Sequence, residues 1–115
     1  FELSVAQQGH IAAAEAEAIT LSDQRYPSLL REIFDPPLIL FCRGRIELLD
    51  TVMLGVVGTR RPTAYGTMAS ERLSADLAKA GLTIASGMAR GVDTAAHRGA
   101  LGAHGNTLAV FGCGL

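Results

Sequence analysis

Three glycine-bearing turns in the second half of the chain combine residue types that suit an anionic ligand. A glycine has no Cβ atom, so the backbone N–H groups around it can approach a phosphate closely. An arginine guanidinium can bind phosphate oxygens through two parallel hydrogen bonds. The turns are Gly58-Thr59-Arg60, Ser86-Gly87 through Arg90-Gly91, and Gly112-Cys113-Gly114. They predict a phosphate-binding site if the fold brings them together.

Three apolar runs, one before each turn, predict β-strands. The run at residues 52–58 is continuous and lacks polar–apolar alternation, which is typical of a central strand covered on both faces. Helical patterns separate the runs, and this alternation predicts an α/β fold with a doubly wound, mainly parallel sheet and helices on both faces. Because the carboxyl ends of parallel strands share one edge, the turns are expected to converge there. The remaining strands are predicted at residues 82–86 and 107–112.

The two helices between these strands have recognisable ends. Thr63 is predicted to cap the first helix, which continues to about Ala80 and stops at Gly81. Asp93 is predicted to cap the second helix, which carries Ala96, Ala100 and Leu101. The first helix has an apolar stripe that predicts its buried face, and there Tyr65 would serve core packing. That stripe consists of Tyr65, Ala69, Leu73, Leu77 and Ala80.

The first part of the chain follows a different pattern. Residues 1–23 include the stretch AAAEAEA, favour helix and contain few bulky apolar residues, so they predict a helical connector ahead of a domain at residues 24–115. A helix is expected to begin at Pro27 and to stop at the Pro36-Pro37 pair. Residues 38–42 then predict a strand, and residues 45–50 a single helical turn.

Composition excludes several classes of protein. The 115 residues are 49% apolar and 18% charged, which is ordinary for a globular domain. The apolar runs are much shorter than the roughly 18 residues of a membrane span, and the sequence shows no secretory signal, so a cytoplasmic location is expected. Cys42 and Cys113 lie far apart and are expected to be buried free thiols.

Charge is unevenly distributed along the chain. Residues 1–51 carry a balance of −4 and residues 52–115 a balance of +3, although the net charge is −1. The glycine-rich half is therefore the cationic half, which is a weak indication of an anionic ligand.

Familiar cofactor and metal sites do not fit the motifs. The chain has no GxGxxG and no GxxxxGK[ST], and Ser86-Gly87 stands where an NAD site would place an acidic residue. The histidines lack metal-ligand spacing, and His97 on the predicted helix favours core packing or capping. We find no nucleophile–base pair. We therefore expect no cofactor, no metal and no catalytic residues.

Four segments together resemble the DNA-processing protein family called DprA or Smf. They are YPSLL…DPPLILFCRG, GVVGTRRPTAYG, GLTIASGMARGVDTAAHRGAL and GNTLAVFGCGL, within residues 24–115. The resemblance implies an extended Rossmann-like domain that binds single-stranded DNA and loads the RecA recombinase during natural transformation. It further implies a mediator that is not an enzyme, with a homodimer in the full-length protein.

The resemblance also implies roles for individual residues. Gly58, Thr59 and Arg60 occupy the family's first turn, in which the arginine contacts DNA phosphate. The second turn belongs to the same pocket and contributes Ser86, Gly87, Arg90 and Gly91. Family members continue well past the third strand, so the sheet is expected to be incomplete after that strand in this chain.

Two other interpretations remain open from the sequence. One is an enzyme similar to the phosphoribohydrolases that cleave nucleoside monophosphates, although their PGGxGTxxE-like motif does not occur in these 115 residues. In the other, the glycines serve conformation and packing alone and bind no ligand.

Overall fold

The computed structural model describes Gln8 and residues 15–112. Most of the predicted helical connector, residues 1–23, therefore lies outside the described residues, and so do Cys113 and Gly114 of the third turn. The described residues fall into two compact units that divide between Asp50 and Thr51. Among these residues, no helix is both long enough and apolar enough to cross a membrane.

The first unit is built on an antiparallel pair of strands. Strand β1 (Glu17–Thr20) pairs with β2 (Ile39–Cys42), with Glu17 opposite Cys42. The helical prediction was wrong for residues 17–20. The helix propensity of these residues is overridden because all four pair with β2 and Ile19 becomes completely buried. The predicted strand at residues 38–42 is confirmed, and a free, half-buried Cys42 ends it.

The short helical pieces of the first unit match their predictions only in part. Helix α1 (Ser28–Arg31) is a single turn and ends well before the Pro36-Pro37 pair. None of its residues is buried and Leu29 is 80% exposed, so the predicted longer helix finds no packing surface. The turn predicted at residues 45–50 is confirmed as a 3₁₀ helix over Ile46–Asp50.

The second unit is an α/β arrangement around a parallel sheet, as predicted. Its elements in chain order are β3 (Met53–Gly55), α2 (Ala64–Lys79), β4 (Thr83–Ser86), α3 (Val92–Gly102) and β5 (Thr107–Ala109). Both strand pairs are parallel, with Leu54 opposite Ile84 and Ala85 opposite Leu108. The carboxyl ends of the three strands therefore share one edge, as the sequence indicated.

The ends of α2 also follow the prediction. The Thr63 hydroxyl accepts a hydrogen bond from the Gly66 N–H at 3.0 Å and caps the helix. At the other end Gly81 has a φ of +97°, the left-handed conformation that glycine adopts at low cost.

The strand order corrects one expectation. The order is β3-β4-β5, so β4 is central and the run at residues 52–58 supplies an edge strand of the described sheet. Leu54 on β3 is 41% exposed, whereas Thr83, Ile84 and Ser86 of β4 are buried. The difference arises because β4 has a hydrogen-bonded neighbour on each side. The continuous apolar pattern of residues 52–58 did not show whether their strand lies at the edge or at the centre of the sheet.

Among the described residues, helices α2 and α3 pack against each other and so lie on the same face of this sheet. The apolar stripe predicted for α2 is confirmed only in part: Leu77 packs against the core, but Tyr65 is 76% exposed and Leu73 59% exposed. The helix instead buries the small residues Ser74 and Ala78. A Cβ atom at Gly99 of α3 would lie 2.9 Å from the Glu71 carbonyl carbon, so the contact needs a glycine and excludes large side chains. The core of the unit consists of Ala78, Ile84, Ala96 and Ala100.

Candidate anion-binding site

The first turn leaves β3 and runs to the cap of α2. A Cβ atom at Gly58 would lie 2.8 to 3.0 Å from the side-chain carbons of Val92, so this turn presses against the start of α3. The Thr59 carbonyl accepts a hydrogen bond from the Val92 N–H at 3.2 Å. The Thr59 hydroxyl accepts another from the Arg61 N–H at 3.1 Å. These contacts fix the backbone on both sides of Arg60, whose side chain is exposed.

The second turn touches the first through Gly91. Gly91 has a φ of +83°, and a Cβ atom there would lie 2.8 Å from both the Arg60 carbonyl carbon and the Pro62 Cδ. Only glycine meets both requirements, the conformation and the close approach. Arg90 precedes Gly91 and is exposed like Arg60. The structure thus brings the backbones of the two arginine-bearing turns into contact.

The backbone of the second turn offers a row of unused donors. None of the N–H groups of residues 87–91 donates a hydrogen bond to any residue that the structure describes. The turn leads directly into α3, whose first N–H groups and helix dipole also favour a negative charge. Consecutive free N–H groups at a helix start are suited to binding an anion.

The segment that follows β5 lies at the same edge of the sheet. The Val110 N–H donates to the Ser86 carbonyl at 2.8 Å, which continues the pairing of β4 with β5 past Ala109. The Val110 carbonyl oxygen lies 3.6 Å from the position of a Cβ atom on Gly87. The first two turns and the segment that follows β5 therefore lie at the carboxyl ends of the strands. Gly112 is the last residue of the third turn that the structure describes.

Ser86 contributes to the frame of the site through its side chain. It is buried, and its hydroxyl donates to the Val56 carbonyl, which ties the end of β4 to the residue after β3. That hydroxyl is already used within the sheet. Among the other predicted residues, Gly91 contacts the backbones of Thr59 and Arg60, whereas Gly87 lies beside Asp93 and the Val110 carbonyl.

Asp93 does not cap α3 as predicted. Gly91 holds the N-cap position, and Asp93 is the second residue of the helix. Its side chain is only 8% exposed, and its Oδ2 lies 2.7 Å from the position of a Cβ atom on Gly87. A carboxylate in the first turn of a helix interacts favourably with the helix dipole. A larger residue at position 87 would displace this carboxylate.

His97 connects the second turn to β5. One ring nitrogen, Nε2, lies 2.6 Å from the Gly87 carbonyl oxygen, and the other, Nδ1, lies 2.7 Å from the Thr107 Oγ1. The sequence placed His97 correctly on the helix but gave no sign of these partners, which are 10 residues away on either side. The available signal was its spacing of one helical turn from Asp93, which put both residues on the face toward the turn.

The described residues contain no group of three or more histidine, cysteine or acidic side chains that could hold a metal ion. The site offers backbone N–H groups, a helix start and two exposed guanidinium groups, all of which can bind an anion.

Comparison with known proteins identifies relatives of the chain. Residues 17–115 match the family profile of DNA recombination-mediator protein A. The chain is 39% identical over 97 residues to the DNA processing protein DprA of Bacillus subtilis, covering 84% of this chain and 33% of that protein. It is 42% identical over 101 residues to the protein Smf of Synechocystis, covering 84% of this chain and 25% of that protein. The chain thus spans a third or less of the length of these relatives.

Two solved structures are also similar. The crystal structure of DNA processing protein A from Streptococcus pneumoniae superposes with a TM-score of 0.78 at 36% identity, covering 90% of this chain and 37% of that one. A structure of DNA processing protein A from Helicobacter pylori gives a TM-score of 0.69 at 38% identity, covering 81% of this chain and 41% of that one. The Helicobacter structure concerns the single-stranded DNA binding mode of that protein.

Proposed function

Because the chain belongs to the DNA recombination-mediator protein A family, which includes the DprA and Smf proteins, we propose that it binds single-stranded DNA at the converging turns. One observation carries the proposal: Gly91 brings the backbones of the Arg60 and Arg90 turns into contact beside a row of free N–H groups. A nucleic-acid strand offers a phosphate at every nucleotide, so two guanidinium groups at one edge suit it.

Binding of this kind depends little on base sequence. Contacts from backbone N–H groups and arginines to phosphate position a strand without reading its bases. Single-strand sites also use exposed aromatic rings on which bases stack. Tyr65 lies in the first turn of α2 and is 76% exposed, so its ring is available for such stacking rather than committed to the core.

The wider function follows from the family. We place this chain in a protein that acts on DNA during recombination and natural transformation as a binding protein and not as a catalyst. Loading of RecA, homodimerisation and a cytoplasmic location are proposed for the whole protein, which in the relatives is at least three times as long as the aligned segment.

The test of the DNA site compares two adjacent arginines. We expect Arg60→Ala to weaken binding of a fluorescent oligonucleotide about tenfold, because a charge-assisted hydrogen bond to phosphate is lost. The slope of log affinity against log salt should fall by about 0.7. Arg61→Ala is the matched control, with the same charge change one residue away, and should leave both quantities nearly unchanged.

Three outcomes would count against the proposal. Arg60→Ala could bind with the affinity and salt slope of the original protein, or Arg61→Ala could weaken binding by the same factor. Release of free adenine from AMP by the protein would favour the phosphoribohydrolase interpretation instead.

A further inference from the structure

His97 touches two parts of the edge where the turns converge. Its Nε2 lies 2.6 Å from the Gly87 carbonyl oxygen, and its Nδ1 lies 2.7 Å from the Thr107 Oγ1. Gly87 belongs to the second turn and Thr107 begins β5. A single side chain of α3 therefore joins the turn to the neighbouring strand.

Hydrogen-bond chemistry fixes the direction of the first contact. A carbonyl oxygen only accepts, so Nε2 must carry a hydrogen and donate it to Gly87. The Thr107 hydroxyl also lies 2.8 Å from the Ile84 carbonyl oxygen, to which it donates. Thr107 lies in β5 and Gly87 in the turn after β4, so the ring links the turn to the sheet.

The peptide that follows Gly87 responds directly to this bond. A trans peptide is planar, and its C=O and N–H groups point in opposite directions. The described residues contain no cis peptide. When the Gly87 carbonyl points toward His97, the Met88 N–H points away from His97. That N–H donates to no described residue.

We infer that His97 is a positioning residue of the DNA site: it holds the Gly87 carbonyl and thereby directs the Met88 N–H toward a phosphate. The inference rests on the proposed function and adds to it the residue that orders the turn. The need for such a residue follows from glycine's freedom, because Gly87 has no Cβ atom to restrict its own backbone. A Cβ atom on residue 87 would lie 2.7 Å from the Asp93 Oδ2, so a substitution there would also displace the Asp93 carboxylate.

Two variants of His97 separate positioning from packing. His97→Gln keeps a side-chain N–H that can reach the Gly87 carbonyl, whereas His97→Met has a similar length and no donor. We expect His97→Met to weaken oligonucleotide binding about fivefold, the effect of one lost hydrogen bond, and His97→Gln to stay within about twofold of the original protein. A merely structural role would make the two variants lose affinity equally, and that result would overturn the inference.

A second measurement needs no variant. Inorganic phosphate is titrated into the full chain while the backbone amide signals are followed by NMR. The Met88 signal should shift together with those of residues 58–60, and long-range ¹H–¹⁵N spectra should show a hydrogen on Nε2 of His97. A Met88 signal that stays fixed while residues 58–60 respond would overturn the role of His97 and leave the DNA site intact.

A failure of the proposed DNA-binding function would give different results from a failure of the role of His97. If the DNA proposal is wrong, neither set of amides responds to phosphate and Arg60→Ala binds the oligonucleotide as the original protein does. If His97→Met does not fold, the amide titration and His97→Gln still decide the question. An affinity of His97→Gln reduced by fivefold or more would count against positioning through an N–H donor.

Discussion

Different interactions stabilise the interior of each of the two units. In the first unit the two helical pieces have only four and five residues, and polar side chains bridge the segments. The Arg31 guanidinium donates to the Leu21 and Asp23 carbonyls, and the Tyr26 hydroxyl donates to the Pro37 carbonyl at 2.7 Å. In the second unit small apolar residues let helices and strands approach closely, as at Gly99 and Ala100.

This difference explains where the candidate site lies. A site made of backbone N–H groups needs segments that approach to within the size of one methyl group, and only residues without large side chains allow this. The second unit provides such approaches at Gly58, Gly87 and Gly91. In the first unit, nothing lies within 4 Å of a Cβ atom on Gly44. Changes to glycine should therefore damage the second unit much more than the first.

The largest effect is expected at the contact of the two long helices. Gly99→Val places atoms against the Glu71 backbone, which cannot move without separating α2 from α3. We expect a loss of about 3 kcal/mol in the free energy of unfolding, measured with urea. Gly102→Ala on the same helix is the control, because nothing lies within 4 Å of a Cβ atom there, and it should be neutral or slightly stabilising. Equal losses in both variants would show that helix packing is not the cause.

A smaller effect is expected where the arginine-bearing turns meet. Gly91→Ala combines a strained φ of +83° with contacts from Arg60 and Pro62, and should cost about 2 kcal/mol and weaken oligonucleotide binding. Gly44→Ala in the first unit shares the positive φ, at +100°, but has open space around the new methyl group. It should cost only about 1 kcal/mol and leave binding unchanged. A Gly44→Ala variant as damaging as Gly91→Ala would contradict the comparison.

The smallest effect is expected from the ion pairs of the first unit. The hydrogen bonds from Arg25 lower the pKa of the Asp23 carboxyl. A carboxyl whose pKa is lower when folded adds stability above its unfolded pKa and loses that stability as pH falls. We therefore expect the melting temperature of the original protein to fall slightly more than that of Asp23→Asn between pH 7 and pH 3. Parallel pH profiles would show that the pair contributes nothing, as many exposed pairs do.

The sequence predicted what local chemistry determines. Thr63 marked the start of α2 and Gly81 its end, because capping and a left-handed φ depend on a few neighbouring residues. The turns at Gly58 and Gly87 were found because strand–helix alternation implies where strands end. These features also led to the correct fold class.

The remaining features depend on which segments become neighbours. The stripe containing Tyr65 and Leu73 was apolar enough for a core, but the approach of Gly99 to Glu71 selected the face with Ser74 and Ala78 instead. Residues 17–20 favour helix by composition, but they pair with a strand whose residues lie 19 or more positions later in the chain. The local sequence does not show that partner. The partners of His97 could not be read from its surroundings in the chain, since they come from two other segments.

The hydrogen bond from the Val92 N–H to the Thr59 carbonyl has a mechanical consequence. It fastens the connection after β3 to the first residue of α3, so a force applied at Arg60 passes into an 11-residue helix instead of stretching a loop. A DNA strand that is bound and pulled at this edge would therefore act on α3 and would not extend a flexible loop.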